Sequence, residues 1–325
     1  MQIKQRLEYP IWKTPYFCVL GLFVFFKLVR AGTLTFLIDK PFFNKKLNLT
    51  LKFLNLLIYS DNKDEIGKKL LRCLINLGPG YIKFGQALST RPDLVDKKTC
   101  EYLKKLQDDM EPFSSSIAKN IIEKENHDSI DNIFSSFNEK PVANASVAQV
   151  HTAILKSGET VAIKILKPNI KEKLFKDFIF FYWVSKCLEI AIPSIKRLKL
   201  SKNVEVLSEV SLNELDLTLE ASAAEELSEN FKDNPNYKVP KIYWEFTSKN
   251  ILVLEYIQGI RIDDINALKK ANHNIKKITE IGTEVFFLQV FRDGFFHGDM
   301  HPGNILINPK GVLIPIDFGI MGRLS

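Results

Sequence analysis

The stretch His297–Gly319, "HGDMHPGNILINPKGVLIPIDFG", holds two aspartates and one asparagine that could do chemistry: Asp299, Asn304 and Asp317. They sit around what reads as a short hairpin, "NILIN" and "VLIPID", joined by Pro309-Lys310-Gly311. Hard Mg²⁺ wants oxygen ligands and prefers one or two carboxylates plus substrate phosphates to an all-protein cage. Asn304 and Asp317 are therefore candidate metal ligands, and Asp299 a candidate to orient or deprotonate an acceptor. D-F-G alone is a weak signal. D-x-x-x-x-N, strand, turn, strand and D-F-G together follow the order of the catalytic and metal loops of protein kinases.

Such chemistry needs a cation for the phosphates. "VAIK" puts Lys164 near the end of a strand, where it could reach them. A lysine in that role must be held by a carboxylate, and the helical stretch Val204–Asn230 offers Glu205, Glu209, Glu214 and Glu220 without choosing among them. The glycine-rich loop that should precede it is missing, and the chain reads "VANASVAQVH". Each Ala or Asn there carries a Cβ, so positive φ is costly and close approach to phosphates is hindered. The loop is either inactive or a different phosphate grip. His297 and His301 have i, i+4 spacing, but Gly298, Pro302 and Gly303 break any helix, so His297 reads as a loop brace and not as a zinc ligand.

The elements that must position these residues follow from periodicity. Helical patterns cover Leu70–Leu77, "YIKFGQALS" and "KKTCEYLKKLQDD", and "EPFSSS" leads into a helix at Ile117–Glu125. From Pro141 the period becomes that of strands: "VANASVAQVHTAIL" and "ETVAIKIL" around "KSGE" form a hairpin signal. Lys171–Leu200 and Val204–Asn230 return to helix, with the aromatic run "FIFFYW" read as core or interface. "KVPKIYWEF" and "NILVLEYI" read as a further strand pair, and Ile275–Arg292 as an amphipathic helix. The expected fold class is α+β.

Composition narrows the partners. The chain has 325 residues, is 46% hydrophobic and 26% charged, and carries a net charge of +7. Residues 1–60 hold nine Lys/Arg and two Asp/Glu, which accounts for all of that excess. The basic character belongs to the N-terminus, which argues against a nucleic-acid-binding core and towards an anionic surface. The same segment is apolar, "YFCVLGLFVFFKLVRAGTLTFLI". A spanning helix would bring Lys27 and Arg30 near mid-membrane at about 2.5–3.5 kcal/mol each. A helix lying in the interface avoids that cost and is the favoured reading, ahead of a spanning signal anchor or a buried core helix. Cys18, Cys73, Cys100 and Cys187 form no close cluster and read as reduced thiols.

Together these residues resemble the UbiB family of atypical protein-kinase-like proteins, tied to ubiquinone biosynthesis. The resemblance runs from about Glu65 onwards and rests on "KFGQALSTRPDLV", "VANASVAQVHTA", "VAIK", "ELDLTLEA", "HGDMHPGN" and "IDFG". It implies a kinase-like N-lobe, a small antiparallel sheet with inserted helices, at 141–260. A basic apolar membrane segment at 1–60 and a helical extension at 61–140 precede it, and the start of a C-lobe, incomplete, follows at 261–325. It implies that ATP and Mg²⁺ are used and that Glu220 is the partner of Lys164. Val142, Ala143, Asn144, Ala145, Ser146 and Val147 would cover the nucleotide, with Glu255 and Tyr256 also in contact with it. Lys83 and Gln86 would fold over the site as regulatory residues, Lys83 near Glu214 and Asp216.

The family's view as an ATPase or small-molecule kinase implies a small or lipid-like acceptor and quinone-biosynthesis enzymes as partners. It also implies a location at the cytoplasmic face of the inner membrane. Two departures stand out: Asn144 lies where the family has small residues, and the chain stops at Ser325, before the family's remaining helical lobe. The expectation is an enzyme, with a non-catalytic nucleotide-binding regulator or scaffold, or an inactive fragment, as the alternatives.

Overall fold

The computed structural model describes residues 7, 14–38, 45–58, 65–106, 112–298 and 301–324. They fall into two compact units. One comprises residues 1–111, 144–147 and 168–212, and the other residues 112–143, 148–167 and 213–325.

Among its described residues the first unit is helical. Helices Ile66–Leu77, Pro79–Ser89 and Lys97–Lys104 pack with helix Ile170–Ala191 and helix Thr14–Arg30 around one core. The "FIFFYW" run supplies part of it, with Phe178, Phe180, Tyr182 and Trp183 buried. Helix Thr14–Arg30 is apolar on two faces. Phe17 and Val24 enter the core, Phe17 lying 5.7 Å from the Trp183 ring, while Tyr16, Val19, Phe23 and Phe26 form an exposed stripe at helical spacing. Neither a wholly buried helix nor a wholly interfacial one describes it. Among the described residues no helix is long and apolar enough to cross a membrane.

The second unit mixes small sheets with helices. Strands β1 (Phe134–Phe137), β2 (Ala143–Asn144), β3 (Ala148–Leu155), β4 (Thr160–Leu166) and β5 (Ile251–Glu255) form one antiparallel sheet in the order β1-β3-β4-β5, with β2 beside β3. The β3–β4 turn is tight because Gly158 takes φ +101°, which L side chains rarely adopt. Beyond the sheet come β6 (Ile260–Arg261), β7 (Phe295–His297), β8 (Ile305–Ile307), β9 (Leu313–Pro315) and β10 (Met321–Arg323). β6-β8-β9 make a three-stranded sheet, and β10 pairs with β7.

Sequence periodicity and the structure part at several places. "KVPKIYWEF" is not a strand: Pro240 lacks an amide to donate, and the segment keeps one bridge, Ile242 to Leu254, before a 3₁₀ turn at Trp244–Phe246. Lys171–Leu200 stops as α-helix at Ala191, before Pro193. Val204–Asn230 is two helices, broken where Asp216 accepts a hydrogen bond from the Thr218 amide and caps Leu217–Asn230. The helix from Ile275 ends at Phe287 and continues as a π turn, Leu288–Arg292.

The glycine of "KFGQ" has a packing reason. A Cβ on Gly85 would lie 2.5 Å from Leu106 Cδ1 and 2.7 Å from Leu74 Cδ1, both in the core of the first unit. Gly85→Val is expected to destabilise that unit by about 1–3 kcal/mol through overpacking, read as a fall in thermal midpoint; an unchanged midpoint would remove this account of the glycine.

Candidate active site

Lys164 lies on β4, the central strand of the main sheet, between β3 and β5, where Val150 and Leu252 are its cross-strand neighbours. Being flanked on both sides fixes the backbone from which its side chain extends. Helix Leu217–Asn230 supplies the partner. It is rich in Ala, Leu and Glu, strong helix formers, and its buried stripe runs Leu217, Glu220, Ala221, Ala224, Leu227. Glu220 therefore falls on a face that is otherwise apolar. Its carboxylate accepts from Lys164 Nζ at 2.7 and 2.9 Å. Of the four glutamates that the residues left open, this is the one paired with Lys164.

The third member comes from the end of the hairpin. Lys164 Nζ also lies 3.3 Å from Asp317 Oδ1, and the same oxygen accepts from the Gly319 amide at 3.1 Å. Phe318, between them, is buried in the core with Leu227, Ile305 and Leu313, and its amide reaches Glu220 Oε1 at 3.4 Å. A buried aromatic thus pins the turn, and the two residues flanking it are left to face the site. Glu214 approaches as well: its Cγ lies 4.0 Å from the position a Cβ would take on Gly319.

Asn304 joins Asp317 through the ladder. Ile305 pairs with Pro315, and the Ile316 amide donates to the Asn304 carbonyl at 2.9 Å. The hairpin thereby places the carboxamide residue beside the residue that precedes Asp317. Asp299 lies outside the described residues. His297 is buried and its Nε2 donates to the Asp317 carbonyl at 2.6 Å, which makes it the loop brace that the helix-breaking residues around it implied. His301 instead accepts from the Gly303 amide and caps the turn Pro302–Asn304.

One ammonium between two carboxylates sets the electrostatics. Burial, reinforced by the charge of Asp317 and opposed by that of Lys164, pushes Glu220 up to about 7. Burial also acts against the charge of Asp317, yet the Lys164 ammonium and the Gly319 amide hold its carboxyl well below the usual range. Exposure agrees with that division, since the Glu220 side chain is 5% open and that of Asp317 39%. For Lys164, burial is outweighed by the Asp317 and Glu220 charges, and its value is raised.

Other candidates are placed less directly. Glu255 Oε1 pairs with Lys238 at 2.5 Å, and the amides of Glu255 and Tyr256 donate to Lys241 and Thr160 within the sheet region. Lys83 and Gln86 are on helix Pro79–Ser89 of the first unit, where Gln86 Nε2 donates to the Leu106 carbonyl at 3.1 Å. Asp216 is the cap of the helix that carries Glu220. In the alanine-rich loop, Asn144 Oδ1 is a buried oxygen without a hydrogen-bond partner among the described residues.

Two buried glutamines escaped the sequence reading. Gln289 Oε1 accepts from the His297 amide at 2.9 Å. Gln149 accepts from the Phe113 amide and contacts His151 Nε2 at 2.7 Å, while His151 Nδ1 donates to the Asn138 carbonyl. The signal in both cases is a polar residue inside an apolar periodic segment.

Residues 105–325 match the model of the ABC1 atypical kinase-like domain. The chain belongs to that family. Curated relatives called probable protein kinase UbiB include one from Marinobacter nauticus, 43% identical over 82% of this chain and 50% of its own length. Another, from Shewanella woodyi, is 41% identical over 88% of this chain and 52% of its own. The chain thus spans about half the length of the curated relatives it matches. Among solved structures, the complex of Rv3197 with erythromycin from Mycobacterium tuberculosis aligns with a TM-score of 0.52 at 28% identity, over 86% of this chain and 68% of that one. The α+β kinase-like expectation from the motifs is the fold found.

Asn304 and Asp317 carry hard oxygen donors, and Lys164 carries an ammonium of the charge that phosphates would need. Among the described residues no group of three His, Cys, Asp or Glu is arranged to hold a metal alone. By the chemistry of their donors, the residues present fit Mg²⁺ and a nucleotide.

A buried acid near 7 has a signature. Glu220 is raised from 4.5, so its contribution to stability is full below about pH 4.5 and is lost as pH rises through about 7. Glu220→Gln leaves Lys164 paired with Asp317. Its thermal midpoint is expected to rise relative to that of the wild type between about pH 5 and pH 8, measured across that range. A difference between the two that does not change with pH would contradict the assignment.

Proposed function

We propose that this chain is an ATP- and Mg²⁺-binding atypical kinase or ATPase of the UbiB type, acting in ubiquinone biosynthesis at a membrane surface. The observation that carries this reading is the Lys164–Glu220–Asp317 triad at 2.7 and 3.3 Å, with Asn304 tied beside it by the hairpin. In this reading Lys164, oriented by Glu220, binds the nucleotide phosphates. Asn304 and Asp317 hold Mg²⁺, which supplies neutralisation of phosphate charge when bound. Asp299 orients or deprotonates a small or lipid-like acceptor, or the water that replaces it. His297 keeps the Asp317 carbonyl in place so that the carboxylate faces the metal.

Residues Val142–Val147 cover the phosphates, Glu255 and Tyr256 lie beside the base, and Lys83, Gln86, Glu214 and Asp216 regulate access. A non-catalytic nucleotide-binding regulator would bind in the same way without turnover. The intact triad and metal residues favour the enzyme.

The membrane part of the reading rests on a separate observation. The stripe Tyr16, Val19, Phe23 and Phe26 is exposed, and Leu49, Phe53 and Leu56 of helix Lys45–Ile58 are exposed as well. Lys27 lies over the Phe23 ring at 4.6 Å and Arg30 over Phe26 at 5.8 Å. Apolar side chains ringed by cations suit the interface of an anionic bilayer, here the cytoplasmic face of the inner membrane.

Asp317→Asn is expected to lower Mg²⁺-dependent nucleotide affinity at least about tenfold, the value of a lost charged ligand interaction. Undiminished thermal stabilisation by Mg-ATP in that variant would reject the site. ATP turnover at lipid vesicles that disappears in Asp299→Ala supports the enzyme, and nucleotide binding without any turnover supports the regulator. Deletion of residues 1–40 is expected to release the chain from anionic vesicles; equal sedimentation with and without them would end the membrane reading.

A further inference from the structure

Helix Pro79–Ser89, which carries Lys83 and Gln86, begins in an unusual way. Gly78 takes φ +125° and has no side chain with which to cap it, and Pro79 at the first position has no amide. Gly80 is then the first residue with an N–H to satisfy. That amide donates to Asp177 Oδ2 at 2.9 Å, across 97 residues, from helix Ile170–Ala191 of the same unit. The approach leaves no room for a side chain: a Cβ on Gly80 would lie 2.4 Å from Asp177 Cβ and 2.7 Å from Oδ2. One residue on, Tyr81 meets Phe181 edge-to-face at 4.8 Å, so the two helices also join through a ring pair.

We propose that Asp177 is the positioning residue of this helix: its carboxylate, capping the chain through the Gly80 amide, sets how Lys83 and Gln86 are presented. The inference rests on the regulatory reading of those two residues given above. A negative charge suits a helix N-terminus, and among the described residues Asp177 has no Lys or Arg partner to draw it elsewhere. Burial pushes its carboxyl up to about 6, with the Gly80 hydrogen bond opposing. Tyr81 is the titratable group that faces it, raised by its own burial and then by the Asp177 charge, with Tyr16 and Cys73 next to Tyr81.

Because the folded value lies above the ordinary 3.8, the stabilising contribution of Asp177 is present at low pH and is lost as pH rises through about 6. Asparagine at this position keeps an acceptor for Gly80 and carries no charge.

The test is hydrogen exchange of the full chain over residues 80–89, together with Mg-ATP affinity. Asp177→Ala and Gly80→Ala are each expected to lower protection of the first helical turn at least about tenfold, the worth of one hydrogen bond to a charged group. Asp177→Asn is expected to retain protection, and its thermal midpoint is expected to rise relative to that of the wild type as pH increases from about 4 to about 6. Protection lost while Mg-ATP affinity is unchanged keeps Asp177 as the anchor and removes the regulatory role of Lys83 and Gln86. Unchanged protection in both Asp177→Ala and Gly80→Ala overturns the proposal, as does an Asp177→Asn variant whose stability follows the pH dependence of the wild type.

Discussion

A single ammonium group shared by two carboxylates organises the site of this ABC1-family chain. Lys164 is held against Glu220 at 2.7 Å and reaches Asp317 at 3.3 Å, with 17% of the lysine side chain open to solvent. Removing a charge from water is costly unless it is paired and hydrogen-bonded, so each of the three restricts the other two. A sheet strand, a helix and a hairpin end must therefore meet at one point. The surrounding structure can be read as the means of bringing them there.

Three local devices serve that meeting. β4 is hydrogen-bonded on both edges, which fixes the direction of Lys164. Asp216 caps the helix one turn before Glu220, and the small residues Ala221 and Ala224 follow on its buried stripe. Phe318 is sunk into the core of the second unit and turns its neighbours Asp317 and Gly319 outward. His297 and Gln289 then hold the loop of Asp317 from behind through backbone groups. These contacts make the geometry stiff.

The same arrangement has a cost in charge balance. Two carboxylates and one ammonium leave one negative charge in excess, and burial assigns the burden to Glu220, not to the more open Asp317. The more solvent-accessible carboxylate is the one kept ionised. Asp177 in the first unit shows a related compromise, where a buried carboxylate spends stability at neutral pH while satisfying a helix amide that no residue of its own helix can reach.

Much of this was legible in the residues because it is local. D-x-x-x-x-N and D-F-G around a hairpin signal, "VAIK" in a β-branched run, and glycine at Gly158 each depend on a few neighbours and on backbone rules that act over short distances. What lies far apart in the chain was not legible. Which of four glutamates meets Lys164 depends on where one helix is capped and which stripe it buries, and Glu220 is 56 residues away. The buried Gln149 and Gln289 have the same origin. Pairing and burial partners are set by chain segments remote in sequence, and periodicity carries no record of them. Residue types and short spacings determined the chemistry this chain can hold; only tertiary packing decided which side chains share it, because desolvation and ion pairing act through space.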